Sequence, residues 1–356
     1  MLNQNRTQEL QDRVRAAASD KTMLRIVGGN TKDFYGNVFS DKAENIETNI
    51  HQGIISYEPS ELVITARAGT PLKEIQALLA ENNQMLPFDP PHFGQAATLG
   101  GAIATGLSGS RRPFTGSARD FVLGTKIISG KGEVMSFGGQ VMKNVAGYDV
   151  SRLMVGALGT LGLLLEVSIK VLPKPNTELT QVIAMSQSDA LKTMHELNQT
   201  PLPFSGLAYE NEKLFIRLSG ASSAVTAAQK KVGGELLDNS ISFWQQLNEQ
   251  SLPFFKNDKD LWRLSVPYTA DMSLEEDCFI DWAGALYWLH SDKPAEEIQQ
   301  LAIEHGGAAT LFKTSHANTA DRFPPLQAKI KQLQINLKLR FDPYGILNYG
   351  RLYSEL

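Results

Sequence analysis

The chain has one cysteine, Cys278, in 356 residues. That excludes an internal disulfide, a cysteine-built zinc site and an iron–sulfur cluster ligated by this chain alone. Histidine is scarce too: the six residues (51, 92, 195, 290, 305 and 316) lie far apart, with no H-x-H or H-x-x-x-H pair, so no metal site is expected. The common nucleotide fingerprints are missing. Without G-x-G-x-x-G or G-x-x-x-x-G-K-[ST], a dinucleotide-binding Rossmann unit and a P-loop both lack their phosphate cradle, and without G-x-S-x-G there is no hydrolase nucleophile elbow. The longest greasy run, residues 153–165, holds thirteen uncharged residues including three glycines, well short of the ~20 that a spanning helix needs. No basic run exceeds two residues and the net charge is −4, so nucleic acid is not an expected partner. The first twenty residues are polar with no apolar signal segment, which points to a cytoplasmic setting.

What is present is ordinary globular material, 42% hydrophobic and 20% charged, in a chain longer than one core usually serves. Glycine is unevenly spread: fifteen of the twenty-nine fall between Gly94 and Gly162, a stretch suited to tight turns and close backbone approach. Before it, Leu24–Val27 reads as a strand running into Gly28-Gly29-Asn30-Thr31. Such a turn presents backbone N–H groups that can cradle an anion. Residues 62–66 read as a strand and 71–80 as a helix, with Leu72, Ile75, Leu78 and Leu79 on one face. Residues 122–128, 132–137 and 163–171 read as further strands, the last stopped by Pro173 and Pro175. Beyond them helical patterns (188–198, 221–232, 295–305) alternate with strand patterns (214–218, 261–266, 283–289, 309–312). The expectation is a sheet with helices on one face, then a last helix over 326–339.

The glycine loops form three clusters, and their order carries the signal. The first is Val27 to Thr31. The second runs from Pro90-Pro91-His92 through Thr98-Leu99-Gly100-Gly101 to Gly116-Ser117. The third runs from Gly147-Tyr148-Asp149 to Gly156-Ala157-Leu158-Gly159-Thr160-Leu161-Gly162. In this order they resemble the FAD-binding domain of the vanillyl-alcohol oxidase and p-cresol methylhydroxylase (VAO/PCMH) superfamily. Closer similarity is to the FAD-binding subunits of bacterial glycolate oxidase. It is carried by the run Lys143-Asn144-Val145-Ala146-Gly147-Tyr148-Asp149, by Arg111-Arg112-Pro113, by Phe243-Trp244-Gln245-Gln246-Leu247, by Asp281-Trp282-Ala283-Gly284 and by the closing Leu347-Asn348-Tyr349-Gly350-Arg351.

The resemblance implies an α+β fold: a two-subdomain VAO/PCMH-type FAD-binding domain over 1–175, an α+β cap over 176–325, and a C-terminal helix and segment over 326–356 that returns to the FAD domain. It implies FAD as cofactor, with the pyrophosphate at Gly28, Gly29, Asn30, Thr31, Thr98, Leu99, Gly100 and Gly101. Pro90, Gly116, Ser117, Tyr148, Gly159, Thr160, Gly162 and Asn348 complete the expected cofactor contacts. It also implies a complex with a catalytic flavin subunit and an iron–sulfur subunit, acting on a small 2-hydroxy acid such as glycolate. Any attachment to the inner face of the cytoplasmic membrane is expected to run through that complex.

The residues themselves give reasons for the assignment. A diphosphate can be approached closely by backbone N–H groups only where no Cβ intervenes, and a flat isoalloxazine fits against bare glycine backbone. Two departures from the family matter. Covalent members place a histidine after the first glycine turn, whereas Asn30 and Thr31 stand here, so a non-covalent flavin is expected. Related dehydrogenases carry a paired-histidine motif close to H-x-G-D-G-N-x-H, absent from this chain. Oxidising a 2-hydroxy acid needs a hydride acceptor, a base and a cation for the carboxylate. Arg111, Arg112 or Arg351 could supply the cation. No base is assigned, though Tyr148 and His92 stand nearest the flavin loops in sequence. The expectation is an accessory or electron-relay flavin subunit. A self-sufficient FAD-dependent 2-hydroxy-acid dehydrogenase, and a structural subunit with a vestigial FAD site, are the open alternatives.

Overall fold

A computed structural model describes residues 3–139, 149–270, 272–274, 276–314 and 321–356. They divide into two compact units. The first comprises Met1–Leu107, Ser117–Pro173 and Thr319–Leu356, and the second Ser108–Gly116 and Lys174–Asn318.

In the first unit, Leu24–Val27 pairs in parallel with Glu44–Glu47. A separate five-stranded antiparallel sheet runs in the order Ile54–Glu58, Val63–Arg67, Leu163–Lys170, Val122–Ile128, Val134–Gly138. The near-continuous burial of Leu163–Lys170 reflects its central place in that sheet. Helix Leu72–Glu81 buries Leu72, Ile75 and Leu79, the stripe its spacing predicts. Helix Thr7–Asp20 escapes sequence reading. Its buried face is only Leu10, Val14 and Ala17 in an otherwise polar segment, too thin a stripe to stand out.

The second unit holds an eight-stranded antiparallel sheet in the order Glu235–Leu236, Thr177–Ala184, Lys213–Gly220, Phe204–Glu210, Cys278–Asp281, Leu286–His290, Leu261–Ser265, Ala308–Lys313. Leu214, Ile216 and Leu218 point into one core. They are joined there by Ala190 and Met194, Val225 and Ala228, and Ile298 and Ala302 from the helices Gln187–Asn198, Ser222–Val232 and Ala295–Glu304. The alternate residues face the other way, and a fourth helix, Ser240–Asn248, covers them. Phe243 stacks on Phe215 at 4.2 Å, and the Arg217 guanidinium lies 4.4 Å over Trp244. The expectation of helices on a single face is therefore corrected: the strand's period of two exposes a second apolar side that a helix must cover. The strand expected over 283–289 starts later, at Leu286, because Trp282, Ala283 and Gly284 all have left-handed φ (52°, 56° and 91°) and break the extended run. The four tryptophans are buried. Arg111 is buried too, donating to the Glu178 carboxylate. Burial alone would raise the Glu178 carboxyl, but Arg217 and Arg111 overcome it and hold the group below the usual carboxylate range. Among the described residues no helix is long and apolar enough to cross a membrane.

Candidate functional site

The first strand ends in a cleft of the first unit. Gly28 and Gly29 follow it, and Asn30 takes a left-handed φ of 55°. A Cβ on Gly29 would lie 1.6 Å from the Ala96 carbonyl oxygen, so only glycine lets the two backbones pass. Among the described residues, the N–H groups of Gly28, Gly29, Asn30 and Thr31 have no acceptor in the protein. Four donors left open beside a cleft are the fittings of an anion site. Lys32 follows at once. Its side chain is buried, lines the cleft, and donates to the His92 carbonyl at 3.1 Å.

The second glycine loop faces the same cleft with a different economy. Leu99 N–H donates to Thr70 O at 2.9 Å, Gly100 N–H to Ala68 O at 2.7 Å, and Gly101 N–H to the N-capping Thr98 Oγ1 at 3.2 Å. The expectation that these N–H groups hold a pyrophosphate is therefore corrected for Leu99, Gly100 and Gly101, whose donors are already taken by Thr70, Ala68 and the capping Thr98. The loop contributes bare surface instead. A Cβ on Gly100 would press on Ala68 at 2.8 Å, whereas one on Gly101 would meet only Thr98 Oγ1, at 3.3 Å.

The third wall is Leu158-Gly159, fixed from the C-terminal end of the chain. Leu24 N–H donates to Ile346 O and Asn348 N–H to Leu24 O, so residues 346–348 run beside the first strand. Asn348 then ties the walls together: its Oδ1 accepts from Ile26 N–H at 2.7 Å and its Nδ2 donates to Leu158 O at 2.6 Å. Behind it the buried Lys338 ammonium donates to Thr160 O, Leu347 O and Asp342 Oδ2 at 2.7–2.8 Å. Burial pulls this ammonium below its usual range, with Asp342 opposing. Arg351 donates to the carbonyls of Asp33, Tyr35 and Asn37 and lies 4.2 Å over the Phe39 ring. Burial, with Arg322 and Arg25 nearby and Asp33 opposing, lowers it to about 10, so it is charged at neutral pH. Three of its N–H groups are spent on the loop that follows the first glycine turn.

Of the residues expected at the cofactor, Gly28, Gly29, Asn30, Thr31, Thr98, Gly100, Gly101, Gly159, Gly162 and Asn348 line one cleft. Leu99 is buried in the core. Thr160 is turned inward, its N–H and hydroxyl both donating to Ala157 O. Pro90 and His92 lie in the same unit outside the lining, and Ser117 caps the short helix Ala118–Phe121 through Asp120. Gly116 belongs to the second unit. Tyr148, with Lys143 to Gly147, lies outside the described residues. Sequence reading missed Lys32, Tyr35, Phe39, Thr48 and Thr105, which also line the cleft. Only Lys32, directly after the turn, carried a usable signal.

Residues 4–138 match the FAD binding domain family. The chain is 48% identical over 351 residues to glycolate oxidase subunit GlcE of Escherichia coli (strain K12), covering 98% of each protein. It belongs to the GlcE family of glycolate oxidase subunits. Its relatives include glycolate oxidase subunit GlcD of Bacillus subtilis (strain 168), 24% identical over 85% of this chain and 77% of that protein. Among solved structures, alkyldihydroxyacetonephosphate synthase superposes with a TM-score of 0.67 at 15% identity, over 96% of this chain and 75% of that one. The fold is thus the α+β VAO/PCMH type. This GlcE-family chain is a member of the FAD-binding oxidoreductases, and FAD is its cofactor. The cleft fits it: open N–H donors and Lys32 suit a diphosphate, and Gly101 leaves room for a flat body.

Proposed function

We propose that this chain is the FAD-bearing accessory subunit of a glycolate-oxidising complex. On this reading the base that takes the substrate hydroxyl proton, and the iron–sulfur centre that carries electrons onward, sit on other subunits. The observation that carries the reading is the 48% identity over 98% of the chain to a protein named as a glycolate oxidase subunit. Bound FAD supplies the hydride-accepting chemistry.

This chain's own residues hold and orient the cofactor. Gly28 to Thr31 offer their N–H groups to the diphosphate and Lys32 adds a cation. Asn348 keeps Leu158-Gly159 at a fixed distance from the first strand. Among the described residues no histidine or cysteine lines the cleft, which supports a non-covalent flavin. The one described cysteine is unsuited to any bond: Cys278 is buried and accepts from Gln187 Nε2 at 3.2 Å. Burial, then Asp277, pushes its thiol up to about 12.

The three arginines that could meet a substrate carboxylate are committed elsewhere. Arg111 is paired with Glu178, Arg351 holds backbone carbonyls, and Arg112 lies 4.1 Å over Trp282. That favours a substrate site completed by another subunit over a self-sufficient dehydrogenase.

The test is to purify the chain alone and reconstituted with its GlcD-type subunit. Acid precipitation should release all flavin to the supernatant. Glycolate should neither bleach the flavin of the isolated chain nor drive dye reduction, whereas the reconstituted complex should do both. Ordinary turnover by the isolated chain would overturn the accessory reading, and flavin retained in the pellet would overturn non-covalent binding.

A further inference from the structure

Helix Ala328–Phe341 is fourteen residues long, and its only buried side chain is a lysine, Lys338. The last turn is anchored by that ammonium and by Phe341, whose ring meets Phe137 edge-on at 6.1 Å. The turns before it carry Ile330, Leu333 and Leu337 at i, i+3 and i+7, the spacing of a single apolar stripe. Ile330 is 45% exposed and Leu333 58%, with Leu337 half-buried. Nothing local compensates. Gln327 gives no side-chain cap and the first turn has no acidic residue, and an isolated helix of this length is marginal in water. Helices in proteins gain most of their stability by burying such a stripe, and here it faces outward.

Charge narrows what could cover it. The helix contains Lys329, Lys331, Lys338 and Arg340 and no Asp or Glu. Lys338 is neutralised by Asp342 and Lys331 reaches Glu355 at 2.5 Å. Lys329, four residues before Leu333, and Arg340, three after Leu337, have no ion-pair partner among the described residues and edge the stripe. A second copy of this chain would set these cations against themselves. A lipid surface is a poorer match, because the helix exposes no aromatic anchor of the kind interfacial helices use. Tyr344 and Tyr349, 51% and 42% exposed, follow the helix along the chain, and tyrosine is enriched in protein–protein contacts.

We infer that the Ile330–Leu333–Leu337 face is a docking surface for a partner subunit that presents an apolar strip edged by carboxylates. The inference rests on the reading of this chain as a subunit of a complex. It is tested by co-expressing the tagged full chain with the untagged GlcD-type subunit of the same organism and measuring their ratio after affinity purification. Wild type should bring the partner down stoichiometrically. Ile330→Glu/Leu333→Glu, with FAD content and far-UV circular dichroism unchanged, should reduce capture at least tenfold. Lys329→Glu/Arg340→Glu, which touches only surface charge, should reduce capture more at low salt than at high salt; it decides the matter if the first variant loses FAD. Full capture by FAD-replete variants overturns this surface alone, and so does loss of anionic-vesicle binding with capture intact. Failure of wild type to capture the partner overturns the subunit reading itself.

Discussion

The two glycine turns that border the cleft look alike in sequence, Val27-Gly28-Gly29 and Leu99-Gly100-Gly101, yet they serve opposite ends. The first leaves four N–H groups open, while the second has spent its N–H groups on Ala68, Thr70 and Thr98. In the first pair protein presses on both glycines, a Cβ on Gly28 meeting Thr98 Oγ1 at 2.7 Å, whereas the second pair divides. Gly29 and Gly100 are required because protein presses on them, at 1.6 Å and 2.8 Å from an added Cβ. Gly101 meets nothing closer than 3.3 Å and faces the cleft. Glycine therefore signals close approach without saying whether protein or ligand approaches.

The sharpest way to break this contrast is Gly29→Ala. The added methyl cannot coexist with the Ala96 carbonyl, so the loop must move at a cost on the order of 3 kcal/mol or more. Loss of both FAD and the first unit's cooperative unfolding transition is expected. Stoichiometric flavin with an unchanged melting curve would show that the backbones can separate freely. Lys338→Met attacks the third wall from behind. It strands the buried Asp342 carboxylate, which accepts from Ile346 and Leu347 N–H, and an uncompensated buried charge costs about 3–5 kcal/mol. A melting temperature ~10 °C lower is expected by calorimetry; no change would mean that the pair is not buried in solution.

How much of this was legible in the sequence follows from the same contrast. The order of the glycine clusters was readable, and so were strands such as Val122–Ile128, because burial on one or both faces leaves a periodic or continuous apolar record. The spent N–H groups of Leu99 and Gly100 were not, since their acceptors lie some thirty residues away in the chain and depend on tertiary packing. Thr160 reads like a cofactor contact between two glycines yet turns inward. The role of Asn348 was half visible: its place at the cofactor followed from resemblance, but its link between Ile26 and Leu158 spans 322 and 190 residues. The outward apolar stripe of helix Ala328–Phe341 was readable as a helix but not as an uncovered one.

A pH experiment probes the first unit's core away from the cleft. His51 is fully buried with Nδ1 accepting from Arg6 N–H. Burial, then Arg67 and Lys126, lower it to about 4. Because the unfolded chain takes up this proton near pH 6.5 and the folded chain resists it, stability is lost as pH falls from about 6.5 towards 4. The contribution reaches about 3 kcal/mol at the acid end. Urea titrations from pH 7 to 4.5 should show a steeper loss for wild type than for His51→Gln, and parallel slopes would contradict the assignment. Smaller still, Thr160→Val should cost about 1 kcal/mol for its hydroxyl bond and leave FAD affinity unchanged. A tenfold weaker affinity, or about 1.4 kcal/mol, would return Thr160 to the cofactor.

The FAD content of purified Gly101→Val tests the central claim most directly. If the bare backbone at Gly101 is reserved for the cofactor, the variant should fold, with circular dichroism and an unfolding midpoint close to those of the wild-type apoprotein, and carry less than a tenth of the wild-type flavin absorbance. Stoichiometric FAD in a folded Gly101→Val protein would place the cofactor elsewhere and contradict the account.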